Sequence, residues 1–222
     1  GKWKYYPISN ATWVMSVIPR DMDGDGDLDI VVSDRNKGKT NGVRWLENPG
    51  IKRKQKKFWK NHFIGAKNTR VMFMDMADLD GDGLEDAIAT EYTNQKIVFM
   101  KRLDDTGVNW RTFNIEISET TGRAKAVKAG DIDMDGKLDI VHTSNTFEQE
   151  GQSGVYWLSF KESPAERNWE WHSISGLEGI KYDRIELIDL DGDGDLDVLT
   201  CEENAGVDNE GLGIIWYENP VN

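Results

Sequence analysis

One nine-residue pattern, D-x-D-x-D-G-x-x-D, occurs four times in this 222-residue chain: Asp21–Asp29, Asp78–Asp86, Asp131–Asp139 and Asp189–Asp197. The copies stand at near-equal intervals of more than 50 residues. A fixed period of that size marks a repeat architecture, in which each copy belongs to one recurring supersecondary unit.

The chemistry of the pattern is that of calcium. Ca²⁺ takes six to eight oxygen ligands, and carboxylates at alternate positions of a tight loop converge on one ion while glycine supplies the sharp turn. The expected side-chain ligands are Asp21, Asp23, Asp25 and Asp29 in the first loop, and Asp78, Asp80, Asp82 and Asp86 in the second. In the third they are Asp131, Asp133, Asp135 and Asp139, and in the fourth Asp189, Asp191, Asp193 and Asp197. Asp27, Leu84, Lys137 and Asp195 occupy the position that would offer only its backbone carbonyl, which is where the residue type varies. Asp and Gly also make plain hairpin turns. Four carboxylates within nine residues repel one another at neutral pH unless a cation sits among them, and a turn does not require that. The helix-loop-helix calcium motif is excluded, because strand-forming Ile30, Val31 and Val32, and Ile140 and Val141, follow the loops directly.

Each loop is flanked by apolar strands. The first strand spans Trp13 to Ile18, Val71 to Met76, Lys125 to Ala129 and Ile185 to Ile188; the second spans Leu28 to Val32, Ala87 to Thr90, Leu138 to His142 and Leu196 to Thr200. An aromatic-rich third strand spans Gly42 to Glu47, Lys96 to Lys101, Gly154 to Ser159 and Gly213 to Glu218. A fourth carries Trp59, His62 and Ile64, then Trp110 to Ile115, then Trp171, His172 and Ile174. Four antiparallel strands per repeat make a propeller blade, so the fold class is an all-β propeller. The last repeat has no fourth strand at the C-terminus, but Trp3, Tyr5, Tyr6 and Ile8 match one at the N-terminus. The expectation is a single domain over 1–222, with repeats at about 9–64, 65–115, 116–174 and 175–219. Its four blades would be closed by the N-terminal strand, residues 1–8, pairing into the last blade. The alternative is half of a larger ring, finished by a second chain or by sequence trimmed away.

Composition fits: 22 Gly and only 5 Pro suit many short strands joined by turns. The net charge of −13 would fall to −5 with four Ca²⁺ bound, since 4 × 2 = 8. Such acidity argues against a nucleic-acid partner, which needs a basic face. Lone Cys201 forms no internal disulfide, and its counterparts Ser33, Thr90 and Thr143 are small, so a small buried residue rather than a nucleophile is expected. No apolar run reaches membrane-spanning length and no signal peptide is present, so membrane insertion is not expected and Gly1 reads as the start of a mature or trimmed chain. Calcium supply favours a secreted, extracellular or cell-surface location.

The loops, together with the elements Trp45-Leu46-Glu47-Asn48-Pro49 and Trp216-Tyr217-Glu218-Asn219-Pro220, resemble the FG-GAP or VCBS repeats of integrin-like β-propellers over nearly the whole chain. The resemblance implies ions held in hairpins between the first and second strands of each blade. Related bacterial proteins are often secreted; some bind glycans as lectins, some are polysaccharide lyases, and others adhere to proteins. Many have seven blades, against four repeats here. The family implies a scaffold and leaves the function to the site.

That site is expected on the face opposite the aspartate loops. Eight residues before each loop stand Trp13, Arg70, Arg123 and Lys181, which would ring the axial opening. Beyond each loop Asp34, Glu91, Ser144 and Glu202 reach the same edge, with Arg35, Tyr92, Asn145 and Glu203 beside them. Such a rim is a polar surface by default. As a binding site it would suit an acidic polysaccharide: guanidinium forks match carboxylate or sulfate, and exposed Trp or Tyr faces match a sugar ring. Recurring Trp45, Trp157 and Trp216 read as packing between blades, whereas Trp13 has no aromatic counterpart and reads as a ligand contact. A lyase, or a lyase-associated domain, is the second reading. Its base would come from His142, Tyr92 or Tyr182, with His62 and His172 read as packing residues. A protein-adhesion module is the third, with the tract Lys52, Arg53, Lys54, Lys56 and Lys57 docking an anionic polymer or another domain of a larger parent protein.

Overall fold

A computed structural model describes residues 1–36, 38–50, 58–145, 151–203 and 211–221. Among these residues there are strands and no helix, arranged as four antiparallel sheets that form the blades of a propeller. Blade 1 is β1 (Val14–Arg20), β2 (Asp29–Asp34), β3 (Gly42–Glu47) and β4 (Lys60–Gly65). Blade 2 is β5 (Val71–Ala77), β6 (Asp86–Glu91), β7 (Lys96–Arg102) and β8 (Trp110–Glu116). Blade 3 is β9 (Arg123–Gly130), β10 (Asp139–Asn145), β11 (Val155–Phe160) and β12 (Trp169–Ser173), and blade 4 is β13 (Tyr182–Ile188), β14 (Asp197–Glu202) and β15 (Gly213–Tyr217). Within each sheet neighbours in sequence are neighbours in space, and each aspartate loop joins a first strand to a second. A blade flanked by two others buries both faces of its middle strands: in β6 of blade 2 every residue is buried, with Ala87, Ile88 and Ala89 at its centre.

The cores lie between blades. Val31, Val43 and Trp45 of blade 1 pack on Met74, Ala87 and Met100 of blade 2. Ile88, Ile97 and Phe99 of blade 2 pack on Val127, Ile140 and Leu158 of blade 3, and Val141 and Val155 of blade 3 on Ile185 and Val198 of blade 4. Burying each such side chain contributes roughly 1.5–3 kcal/mol. Polar staples cross the same seams. The Thr90 hydroxyl donates to the Lys125 carbonyl at 2.7 Å, and the Thr143 hydroxyl to the Asp183 carbonyl at 2.6 Å. Trp45 Nε1 donates to the Gly107 carbonyl at 2.7 Å, and Arg102 and Asn219 donate to the carbonyls of Met22 and Ile132 in the preceding blade's loop, at 2.7 and 2.8 Å. The four first strands surround a central opening of about 470 Å³ whose lining includes Val17, Phe73, Val127 and Arg184.

Two sequence expectations need correction. Among the described residues blade 4 has three strands, and the N-terminal segment is not one of its members. Only its end and the two residues that follow meet blade 1: the Trp59 N–H donates to the Ile8 carbonyl at 2.8 Å, and buried Arg44 donates to Ser9 Oγ at 3.2 Å and to the Asn10 carbonyl at 3.0 Å. The reason is local, since Arg44 stands where blades 2–4 carry apolar Val98, Tyr156 and Ile215, and its guanidinium needs acceptors that the segment supplies. The second correction follows from the first. Trp216 is 41% exposed and Cys201 partly exposed, because among the described residues no blade covers the outward side of blade 4 as blade 2 covers Trp45. No helix among the described residues is long and apolar enough to cross a membrane.

Candidate functional site

The four aspartate hairpins share one internal wiring. The glycine N–H at the sixth position donates to the first aspartate: Gly26 to Asp21 at 3.0 Å, Gly83 to Asp78 at 2.8 Å, Gly136 to Asp131 at 3.0 Å and Gly194 to Asp189 at 3.2 Å. These glycines have φ of 90°, 90°, 86° and 104°, a region that a side chain disfavours. The seventh-position N–H caps the fifth aspartate in each, as from Asp27 to Asp25 and from Leu84 to Asp82, at 2.9 and 3.0 Å. Lys137 and Asp195 do the same to Asp135 and Asp193, at 2.8 and 3.3 Å.

The wiring gathers carboxylates into four clusters, in each of which one oxygen per residue lies within 4.8 Å of the others: Asp21, Asp23 and Asp25; Asp78, Asp80 and Asp86; Asp131, Asp133 and Asp139; Asp189, Asp191 and Asp193. In the second and third the fifth-position residue drops out where a lysine holds it. Lys101 Nζ pairs with Asp80 and with Asp82, the latter at 2.7 Å, and Lys137 Nζ lies 3.0 Å from Asp135. Asp80 Oδ1 and Asp131 Oδ1 are buried with no hydrogen-bond partner.

The ninth aspartate serves the backbone as well. Asp29 accepts from the N–H groups of Met22 and Asn48 at 2.9 and 2.7 Å, Asp86 from Leu79 and Arg102 at 3.1 and 2.8 Å, and Asp197 from Leu190 and Asn219 at 3.1 and 2.9 Å. Asp139 accepts from Ile132 at 2.9 Å. Burial, followed by repulsion from neighbouring aspartates, pushes Asp86 and Asp139 up to about 7 despite these donors, and raises Asp29. At Asp197 burial acts in the same direction, but the N–H groups of Asn219 and Leu190 outweigh it and its pKa is lowered. A carboxylate that resists ionisation among other carboxylates is one that an added cation would relieve.

At the other end of the blades the positions chosen by counting from the loops meet in pairs. The N–H of Arg35 donates to the Trp13 carbonyl at 2.9 Å, that of Tyr92 to Arg70 at 2.9 Å and that of Glu203 to Lys181 at 3.0 Å, while Asn145 is opposite Arg123. Side chains then converge on one ring. The guanidinium carbons of Arg35, Arg70 and Arg123 lie 5.1, 5.3 and 5.3 Å from the Tyr92 ring centroid, and that of Arg35 also 4.8 Å from half-exposed Trp13. Burial and then the Arg70 charge lower the Arg35 pKa, and Arg35 Nε is buried with no hydrogen-bond partner.

The rest of the rim behaves differently. Lys181 pairs with Glu203 at 2.5 Å. Glu91 is buried and accepts from the N–H groups of Thr93 and Asn94, both at 2.9 Å; buried Glu202 accepts from Ile180, Lys181 and Leu212 at 3.1, 3.2 and 2.7 Å. Buried Asp34 likewise takes the N–H of Trp13 at 2.9 Å, and Ser144 Oγ donates to the Ser153 carbonyl at 3.3 Å. The cations and aromatic rings gather around Tyr92 instead, with Arg35 more central than its place beside Asp34 indicated. Its signal was available: Arg35 is the register equivalent of Tyr92.

None of the three histidines reaches this rim. His142 is wholly buried, its ring 6.0 Å from that of Tyr156 and 5.4 Å from that of Trp171, and burial depresses its pKa to about 4. His62 stacks on Trp45 and His172 on Trp157, at 4.3 and 3.9 Å. Tyr182 is buried, its hydroxyl 2.8 Å from the Glu178 carbonyl. The basic tract Lys52, Arg53, Lys54, Lys56 and Lys57 lies outside the described residues.

The fold and its four acidic hairpins define a class, the repeat propeller with an aspartate loop in each blade. The FG-GAP-like repeat model matches residues 21–89 and again 78–142, together more than half of the chain, which therefore belongs to the FG-GAP-like repeat family. No curated protein matches it in sequence. Among solved structures it is similar to an Agrocybe aegerita lectin described in terms of specific recognition of non-reducing terminal N-acetylglucosamine: 14% identity and a TM-score of 0.51 over 93% of this chain and 49% of the lectin. A V. cholerae biofilm matrix protein, Bap1, aligns with 19% identity and a TM-score of 0.45 over 93% of this chain and 31% of Bap1. The chain thus spans less than half the length of either neighbour.

Proposed function

We propose that the protein is an extracellular, calcium-stabilised propeller that binds an acidic polysaccharide at the axial rim. The observation that carries this reading is the convergence of Arg35, Arg70 and Arg123 on Tyr92, with Trp13 at the edge. Like charges brought together repel, and Arg35 has a buried donor left over, so an anion at this point relieves both. Guanidinium forks would take the carboxylate or sulfate, and the exposed face of Trp13 the sugar ring. In a molecule of net charge −13 the selection acts at short range, within a Debye length of about 8 Å at physiological salt. The shared scaffold of the lectin fits a binding role.

Calcium fits the opposite face. The donors are hard carboxylate oxygens, and the unpartnered Asp80 Oδ1 and Asp131 Oδ1 want a cation. The ion would be held by the first, third, fifth and ninth aspartates of each hairpin, with carbonyls of Asp27, Leu84, Lys137 and Asp195 completing the shell. In the second hairpin it would have to displace Lys101 from Asp80 and Asp82. Such an ion would pin the hairpins that set blade geometry, and the extracellular medium keeps loops of modest affinity filled.

The test is binding to a panel of acidic and neutral glycans in millimolar calcium, by the intact chain and by the Arg70→Ala/Arg123→Ala variant. Retention by acidic glycans alone, lost in the variant, is expected. Unchanged binding by the variant would overturn the reading.

A further inference from the structure

Among the described residues blade 4 has no outer strand of the kind that the other blades possess. In blades 2 and 3 the outer strand pairs with the third strand, and its tryptophan closes the seam to the preceding blade: Trp110 packs on the first core, and Trp169 is buried in the second. On the outer edge of β15 no strand pairs among the described residues. A cavity of about 390 Å³ lies there instead, lined by Trp157, Ile174, Val198, Trp216, Tyr217 and Glu218 among others. An open strand edge beside an aromatic-walled slot is a template for strand addition.

The outer strands share a spacing that describes what the slot would take. Trp59 and Ile64, Trp110 and Ile115, and Trp169 and Ile174 are each five residues apart, and so are Trp3 and Ile8. Yet Trp3 and Tyr5 are 102% and 87% exposed, so among the described residues the aromatic part of this strand-like segment packs on nothing in its own chain. Its root is fastened on blade 1 by the Ile8–Trp59 and Asn10–Arg44 hydrogen bonds, and the segment is not a member of its own blade 4. From that root the first seven residues reach about 23 Å when extended. Pro7 is compatible with an edge strand. Lys2 and Lys4 give the arm a positive charge, opposite to Glu218 and to the Asp189–Asp197 hairpin of the receiving blade.

We propose that the N-terminal arm of one copy, Trp3–Ile8, adds as the fourth strand to β15 of a second copy, placing Trp3 in the slot between blades 3 and 4. Exchanged reciprocally, the arms close a two-fold dimer. The proposal stands apart from the glycan rim, which lies on blades 1 to 3.

Mass by light scattering across a concentration series tests it, on the full chain, on a chain lacking residues 1–7 and on Trp216→Lys. The full chain should reach twice the single-chain mass. The deletion should stay at one chain, and Trp216→Lys should weaken association at least about tenfold, or 1.4 kcal/mol. A full chain that remains single at every concentration would overturn the proposal, including one in which the deletion lowers the melting temperature, since that places the arm on its own blade 4. A dimer indifferent to either change would overturn it as well.

Discussion

The Arg70 guanidinium lies over the Tyr92 ring, 5.3 Å from its centroid, while the Tyr92 N–H donates to the Arg70 carbonyl at 2.9 Å. Strand pairing thus fixes the backbone of the two residues, and the ring organises three cations that would otherwise spread into solvent. Replacing Tyr92 by Ala should therefore weaken acidic-glycan binding as much as replacing one arginine, about tenfold or more if each contact contributes at least 1.4 kcal/mol. Tyr92→Phe should bind like the parent chain. Calorimetric titration of the two variants checks this, and equal loss in both would assign the effect to the hydroxyl instead.

The first and ninth aspartates both accept main-chain N–H groups, but those on Asp78 are exposed and those on Asp86 are buried. Asp86→Ala removes the acceptor of two buried N–H groups, Leu79 and Arg102, and should cost about 2–3 kcal/mol of stability even in chelator. Asp78→Ala should lower the melting temperature in calcium far more than in chelator. Thermal melts of both variants in the two buffers separate the roles.

Position four of the third hairpin is Met134 at φ 58°, where the other hairpins have Gly24, Gly81 and Gly192 at 75°, 72° and 85°. A left-handed side chain costs about 1–2 kcal/mol. Gly81→Ala, which meets nothing within 4 Å, should destabilise by about 1 kcal/mol through the backbone alone. Met134→Gly should leave stability unchanged or raise it, as denaturant midpoints would show.

Asp86 and Asp139 hold a proton in the fold up to about pH 7, whereas an unperturbed aspartate releases it near 3.8. Between those values the fold binds more protons than the unfolded chain, so without divalent ions stability falls as pH rises from about 4 to about 7. Calcium binding must expel these protons, so its affinity should weaken as pH drops below about 7. Melting temperatures in chelator at pH 5 and pH 8 give the first sign, and a higher value at pH 8 would contradict it.

The period of the aspartate loops made the blades legible, because four recurrences place four equivalent strand pairs, and counting from the same loops located Arg70, Arg123 and Tyr92 at one end. Neither the outer edge nor the division of labour among carboxylates could be read that way. The Trp3–Ile8 pattern has the composition of an outer strand, but its placement depends on Arg44, a single polar residue on an otherwise apolar face. Glu91 and Glu202 share a rim with the cations, and only the hydrogen bonds show their oxygens accepting main-chain N–H groups. Lys101 is far from the second hairpin in sequence and sits within it in space.

Calcium in the hairpins is the central claim, and metal stoichiometry measures it most directly. Chain dialysed to equilibrium against millimolar calcium and analysed for metal in excess of the dialysis buffer should carry up to four ions and melt well above the same chain stripped with chelator. A chain that retains no calcium and melts at the same temperature in both states would contradict the account.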